Sequence, residues 1–412
     1  MNMLSPQFSI VMPTRNRAHL LQYALQSALD QKFDDYEIVV VDNCSSDDTA
    51  KVVQQVGGAR VRYVRTSRSL PMHDNWEFAL SQARGEWITF LSDDDALYPE
   101  ALQTIADTIT THQPQLVTWL TGAYFLDLPS AQYPERRRQV LMQRATGRAF
   151  TVPSRPELVS LFAMNLGCDH RMPKMMNSCC PRQLAEKVKQ QVGRFFLPPL
   201  PDYTSCVAML AKTDTYTYID TPLALMGMGA HSFGVAPTRR KPTVHVDLME
   251  DFGGEEVLKY VPLSFLTAAN AVVESLLVVR EAMAADLSWL EQDWSRYFVC
   301  CYLDILSLAR HDLDVTEMRN EFFAALARRP LLFRARVRAL LLAPRIRFLF
   351  QKGIVRQAIN HWGILRLVDP FIGARRRAVL GGKGGFANIL EAVRSLSQNS
   401  DGQSARPENA AG

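Results

Sequence analysis

The sequence has no apolar run long enough to cross a bilayer. Apolar stretches such as Leu340 to Ala343 and Phe348 to Phe350 fall far short of the ~20 residues that a membrane helix requires. The start of the chain lacks the basic-then-apolar order of a signal peptide, and Phe8 to Met12 already reads as a strand, so a cytoplasmic protein is expected. Cysteine is scarce: seven in 412 residues, an odd number, make no disulfide framework and are read as reduced thiols. Cys168, His170, Cys179 and Cys180 invite a zinc reading, but adjacent cysteines lack the two-residue spacing that lets two thiolates reach one tetrahedral ion. Glycine is missing from Pro13-Thr14-Arg15-Asn16-Arg17, after the first strand, which argues against a dinucleotide-binding dehydrogenase. Low-complexity tracts and internal repeats are also lacking.

What remains is an ordinary globular composition, 47% apolar and 21% charged, in a chain two or three times the usual domain size. The first 120 residues alternate strand and helix signals. Phe8 to Met12 is a short apolar run, and Arg17 to Leu29 carries Leu21, Leu25 and Ala28 at helical spacing behind an Asn16 cap. Tyr36 to Val41 is continuous and β-branched. Ser45 and Ser46 offer a cap for a helix through Val56; Val61 to Val64, Asn75 to Ala83 and Trp87 to Leu91 read as strand, helix and strand. Strands buried on both faces and joined by helices predict a parallel sheet with ligands at the carboxyl ends of its strands.

Beyond residue 120 the pattern loosens through Pro- and Arg-rich sequence. From Glu255 it turns helical, with Leu258, Val261, Phe265 and Leu266 followed by Val272, Val273, Leu276 and Leu277. The predicted organisation is an α/β domain over 1–240, a helical C-terminal region over 241–396 and a disordered tail over 397–412. Charge is uneven as well. From Arg328 to Arg377 thirteen Lys or Arg stand against one acid, Asp369, which points to an anionic partner such as a membrane leaflet or a polyanion.

Polar residues follow each apolar strand of the first half: Pro13 to Arg17, then Asp42-Asn43, then Ser92-Asp93-Asp94-Asp95. Three successive carboxylates repel one another unless a cation or hydrogen-bond donors compensate them. Hard oxygen ligands suit magnesium or manganese, which bind one or two carboxylates plus substrate phosphates. An acidic helix N-terminus before Ala96 and Leu97 is the other reading of the same run.

In order and spacing, Phe8-Ser9-Ile10-Val11-Met12-Pro13-Thr14-Arg15-Asn16-Arg17, then Glu37 to Thr49, then Gly85 to Asp95, resemble family 2 glycosyltransferases over about the first 125 residues. The resemblance implies a GT-A fold, a nucleotide-diphosphate sugar donor (UDP-linked by family preference), Mn2+ or Mg2+, and sugar transfer with inversion. It places Pro13, Thr14 and Arg15 along the nucleotide, has Asp42 accept a hydrogen bond from the base, and sets the metal on Asp94, then Asp93, then Asp95. Ser92 stands where many relatives carry Asp. Arg65 and Arg68, after the third strand, stand where relatives often carry a basic residue near the diphosphate; Arg68 is the favoured one, and a solvated arginine is its alternative.

Relatives supply an acceptor-activating carboxylate about a hundred residues after the metal cluster. Asp202 in Pro201-Asp202-Tyr203 matches it at the start of an expected helix; capping that helix is the alternative role. His231, in Gly229-Ala230-His231-Ser232, is a candidate near the metal or diphosphate. The resemblance also implies a saccharide or lipid-linked cell-envelope acceptor, as in polysaccharide biosynthesis. The residues 331–342, apolar with interleaved arginines, read either as an amphipathic helix on an anionic leaflet or as a helix packed on the catalytic domain. No nucleic-acid partner is expected for an enzyme of this kind. A non-catalytic scaffold or polyanion-binding protein on a transferase fold is the alternative function.

Overall fold

The computed structural model describes residues 5–126, 137–165, 171–229, 258–309, 313–351, 377–381 and 385–402. Its first half is the expected succession: β1 (Phe8–Thr14), α1 (Ala18–Leu29), β2 (Tyr36–Asp42), α2 (Thr49–Val56), β3 (Val61–Arg65), α3 (Met72–Gln82) and β4 (Trp87–Phe90). β1 pairs in parallel with β2 on one side and β4 on the other, and β2 with β3. The α/β class predicted from the sequence is the one observed.

The alternation within the strands explains the layering. Phe8, Ile10 and Met12 of β1, with Ile38 and Val40 of β2, pack on Leu21 and Leu25 of α1. Val11, Val39 and Val41 face the other way, onto Trp76, Ala79 and Leu80 of α3. A strand covered on both faces is apolar on both sides of its pleat, which is why Ile10 to Met12 and Ile38 to Val41 read as continuous runs. Gly85 is required by a close approach: a Cβ there would lie 2.5 Å from the Ser9 amide nitrogen.

Past β4 the sheet becomes mixed. A two-residue strand, β5 (Ala96–Leu97), precedes α4 (Ala101–His112) and β6 (Val117–Phe125). β7 (Val140–Gln143), β8 (Ala149–Pro153), α5 (Ser154–Phe162), β9 (Ser178–Pro181), α6 (Arg182–Val192), α7 (Pro201–Ala211) and β10 (Thr215–Met228) follow. β9 is antiparallel between β4 and β6, and β10 runs parallel to β6 while receiving β5 and β8 antiparallel. Ala96 and Leu97 are therefore strand, and the reading of the acidic run as a helix N-terminus is corrected. Cys179 and Cys180 are buried in β9, where desolvation pushes both thiols up, and the six cysteines among the described residues are free. Cys168 and His170 lie outside the described residues.

The C-terminal region is α8 (Ala268–Ala282), α9 (Ala284–Leu287), α10 (Trp294–Ala309), α11 (Thr316–Ala327) and α12 (Leu331–Gln351), then β11 (Arg377–Leu380) and α13 (Ile389–Gly402). Leu276, Tyr297, Phe298, Phe322 and Val337 join the same apolar core as α3 and α7. Leu258 to Leu266, expected to be helical, are not. The carboxylate of Glu274, fully buried in α8, accepts from the backbone N–H groups of Lys259, Tyr260 and Val261, and Pro262 supplies no donor. The region is not purely helical: β11 returns to pair antiparallel with β7 at the sheet edge. α13 runs on to Gly402, into the segment expected to be a disordered tail, and Arg394 pairs with Asp30 after α1.

Candidate active site at the carboxyl ends of the strands

The parallel register places Thr14 beside Asp42 at the ends of β1 and β2. Asp42 is fully buried. Its Oδ1 accepts from the Ser45 amide at 2.8 Å, and its Oδ2 from the Tyr63 hydroxyl at 2.5 Å and from Arg65 at 3.4 Å. Burial, and then the neighbouring carboxylate, push the Tyr63 hydroxyl up to about 12, so it stays a donor at neutral pH. Asn43 fixes the next loop: its amide donates to the Leu70 carbonyl at 2.9 Å and accepts from the Leu70 N–H at 2.8 Å. That pins residues 66–70 over the end of β2. Arg68 within this loop is exposed and takes part in none of these bonds.

The acidic run follows β4 and is tied to β1. Thr14 Oγ1 donates to Asp93 Oδ2 at 2.8 Å, and Arg17 Nη1 reaches Asp93 Oδ1 at 3.0 Å and Asp94 Oδ2 at 3.4 Å. Asp95 faces a different partner, accepting at 2.8 Å from the Gly227 N–H of β10. A Cβ at Gly227 would sit 2.1 Å from the Asp94 carbonyl oxygen, so only glycine admits β10 this close. Desolvation, and secondarily repulsion from Asp93, lift Asp94 to about 6 despite Arg17; desolvation and Asp94 hold Asp95 well above the usual carboxylate range. Asp93 raises the Arg17 pKa in turn.

Asn16 does not cap α1, contrary to expectation. It has a left-handed backbone, φ 54°, and its side-chain oxygen accepts from the Ser46 N–H. Asp47 takes the capping role from across the crevice, accepting from the Ala18 N–H at 2.9 Å and from the N–H of Thr49, at the start of α2. One carboxylate thus serves two helix starts and locks the β1 and β2 loops together.

Asp202 stands in the first turn of α7, half-buried, behind Pro201 at the first helical position. The 3-10 turn Met175–Asn177 connects it to the acidic run. Ser92 Oγ lies 3.1 Å from the Met176 sulfur, and the Lys174 ammonium sits 4.0 Å over the ring of Tyr203. Tyr203 and Met72, at the start of α3, share the small apolar cluster of Leu200, Leu266 and Val272. His231 lies outside the described residues.

The strand ends bring together Thr14, Asp42, Asp93 and Asp94; Pro13 is buried in β1 behind them, and Arg15 is exposed at the rim. Sequence reasoning gave no role to Arg17, Tyr63 or Asp47, and weighed Arg65 only beside Arg68 as a basic residue near the diphosphate, whereas its guanidinium reaches Asp42. Arg17 carried one signal, a cation three residues beyond Thr14 in the loop facing an uncompensated triple acid. Among the described residues no three His, Cys, Asp or Glu side chains converge as a ready metal-ligand set. The donors nevertheless suit a hard cation held by one or two carboxylates and completed by phosphate and water: Asp94 is a desolvated carboxylate that Arg17 compensates only in part, and Asp93 adjoins it.

Residues 9–164 match the family model described as Glycosyl transferase family 2. The GalNAc(5)-diNAcBac-PP-undecaprenol beta-1,3-glucosyltransferase of Campylobacter jejuni is 43% identical over 103 residues, 24% of this chain and 33% of that protein. The poly(ribitol-phosphate) beta-N-acetylglucosaminyltransferase TarS of Staphylococcus aureus is 29% identical over 142 residues, 33% of this chain and 25% of that protein. The chain therefore spans a third or less of the length of these relatives. The crystal structure of TarS 1-349 in complex with UDP-GlcNAc aligns with a TM-score of 0.43 at 14% identity, covering 82% of this chain and 91% of that one.

Proposed function

We propose that this protein transfers a sugar from a nucleotide-diphosphate sugar, UDP-linked, to a hydroxyl of a lipid-linked or cell-envelope glycan, with inversion at the anomeric carbon. The observation that carries the reading is the convergence of Thr14, Asp42, Asp93 and Asp94 at three adjacent strand ends, within a segment of the family's sequence. The names of the relatives, a glucosyltransferase on an undecaprenol-linked glycan and an N-acetylglucosaminyltransferase on poly(ribitol phosphate), support the acceptor class.

In this reading the Asp42 end of β2 and the pinned loop 66–70 receive the nucleoside, with Pro13, Thr14 and Arg15 along it. The diphosphate lies toward Asp93 and Asp94, with Arg17 beside it and Arg68 on the loop above. Asp94 and Asp93 would hold Mn2+ or Mg2+, with Asp95 behind them and His231 as a further candidate ligand. Bound there, a divalent cation would neutralise charge on the leaving diphosphate. Asp202 takes the proton from the acceptor hydroxyl as its oxygen bonds to the anomeric carbon, and the bond to the diphosphate oxygen breaks on the opposite face. The test is turnover against a panel of radiolabelled sugar nucleotides, with and without manganese. Hydrolysis or transfer of one UDP-sugar supports the reading, and no turnover or binding of any sugar nucleotide overturns it.

A further inference from the structure

The helix α12 carries two apolar faces, and the fold uses only one. Val337 is fully buried, and Phe333 and Leu341, four residues to either side, pack beside it against the core formed with α10 and α11. This is the ordinary stripe of a surface helix. The residues turned outward ought then to be polar. Instead Leu331 is 70% exposed, Leu332 85% and Leu342 49%, with Ala335 and Ala339 exposed between them. The spacing 331, 335, 339, 342 keeps them on one side of the helix. Phe323 of the preceding α11 adds a ring that is 47% exposed.

The charge around this second face has one sign. Between Glu321 and Asp369 the sequence holds no acidic residue, while Arg328, Arg329, Arg334, Arg336 and Arg338 fall on or beside the described part of the helix. Arg336 is neutralised by Asp293 at 2.7 Å, and Arg329 lies over the rings of Phe298 and Phe333. Among the described residues no carboxylate pairs with Arg328 or Arg338, and both are exposed.

We propose that this outward face is a docking surface for an anionic lipid bilayer, on which α12 lies parallel to the membrane plane with Leu331, Leu332 and Leu342 dipped below the headgroups. Two requirements select that occupant. Large aliphatic side chains need an apolar medium, which a polyanion such as a nucleic acid does not offer. The flanking arginines need negative charge, which a second copy of the same face would not supply, because it would set arginine against arginine. An anionic leaflet supplies both at one boundary. The contact is peripheral, since no helix among the described residues is long and apolar enough to cross a membrane. The inference adds a partner to the proposed glycosyl transfer and does not depend on it, because the binding is read without donor or acceptor.

The test is flotation of the full chain with vesicles of phosphatidylglycerol and phosphatidylcholine, and with phosphatidylcholine alone. The expected result is binding to the anionic vesicles only, weakened in about 0.5 M salt, where screening shortens the reach of the arginines. Arg328→Gln with Arg338→Gln should lower the partition coefficient about tenfold or more, at roughly 1 kcal/mol per basic residue near the surface. Leu331→Glu with Leu332→Glu should abolish binding while leaving the melting temperature unchanged, because neither side chain is buried. Leu332→Ser is the milder variant should the double change disturb folding. No binding to anionic vesicles, equal binding to neutral ones, or indifference to these substitutions would overturn the proposal. So would a change in oligomeric state in place of vesicle binding, which would identify the face as a contact between copies.

Discussion

The Arg17 guanidinium sits 3.0 Å from Asp93 and 3.4 Å from Asp94, so the acidic run of this protein carries a resident monocation from the neighbouring strand end. Arg17 is 30% exposed and the two carboxylates 6% and 12%, which makes the pair stronger than a surface ion pair and weaker than a fully desolvated one. A divalent cation at Asp94 has to share or displace that guanidinium. Arg17→Met should therefore bind manganese without nucleotide about tenfold more tightly than wild type, while losing roughly 1 to 2 kcal/mol of metal-free stability. Calorimetric titration with manganese checks the first and urea unfolding the second; equal manganese affinity in the two proteins would show that Arg17 does not compete.

If Asp94 and Asp93 hold a divalent cation, as proposed, removing that cation or Asp94 should act on the nucleotide. Without a cation, the proposed diphosphate position faces Asp93 and Asp94 with the Arg17 monocation as their closest described counter-charge, so UDP affinity should fall at least about tenfold in EDTA and equally in Asp94→Ala. Isothermal titration with UDP decides it. Undiminished binding in EDTA would mean that the arginines suffice as counter-charge without a metal.

Asp202→Asn separates proton transfer from helix capping. The amide keeps the shape and the hydrogen-bonding oxygen at the first turn of α7, so stability should change by no more than about 1 kcal/mol and donor binding should persist. Turnover should drop about a hundred- to ten-thousand-fold. If the variant transfers sugar at near the wild-type rate, the base lies elsewhere, and Asp214 is the next described carboxylate to replace.

His73 gives the fold a pH dependence of definite sign. It lies buried in the first turn of α3, with Nδ1 unpartnered and Nε2 3.4 Å from Asp74; burial lowers its pKa, offset by Asp74 and reinforced by Arg194. With the folded pKa below the unfolded value of about 6.5, the unfolded chain binds more protons in that window. The contribution of His73 to stability is thus complete above the unfolded pKa and is lost as pH falls through the folded one. The difference in unfolding free energy between wild type and His73→Gln should shrink from pH 7.5 to pH 5; a constant difference would exclude His73 as the source.

The strands, the helices between them and the positions of Thr14, Asp42 and the acidic run were legible in the sequence, because continuous apolar strands and the polar residues that end them are local patterns. Order and spacing also carried the resemblance to the family whose model residues 9–164 match. The partners of those residues were not legible. That Arg17 meets Asp93, that Tyr63 and Arg65 close on Asp42, and that Asp47 rather than Asn16 caps α1 depend on which strand ends adjoin, and parallel pairing sets that across dozens of residues. The same holds for Asp95, whose carboxylate turns to Gly227 because β10 approaches within the space of a missing Cβ, and for Leu258 to Leu266, whose helical spacing gave way to the buried carboxylate of Glu274. In α12 periodicity could mark apolar residues but not say which of two stripes the core would take. Only the packing on α10 decided that Val337 goes inward and Leu332 stays in the open, since burial is a property of the neighbour as much as of the residue.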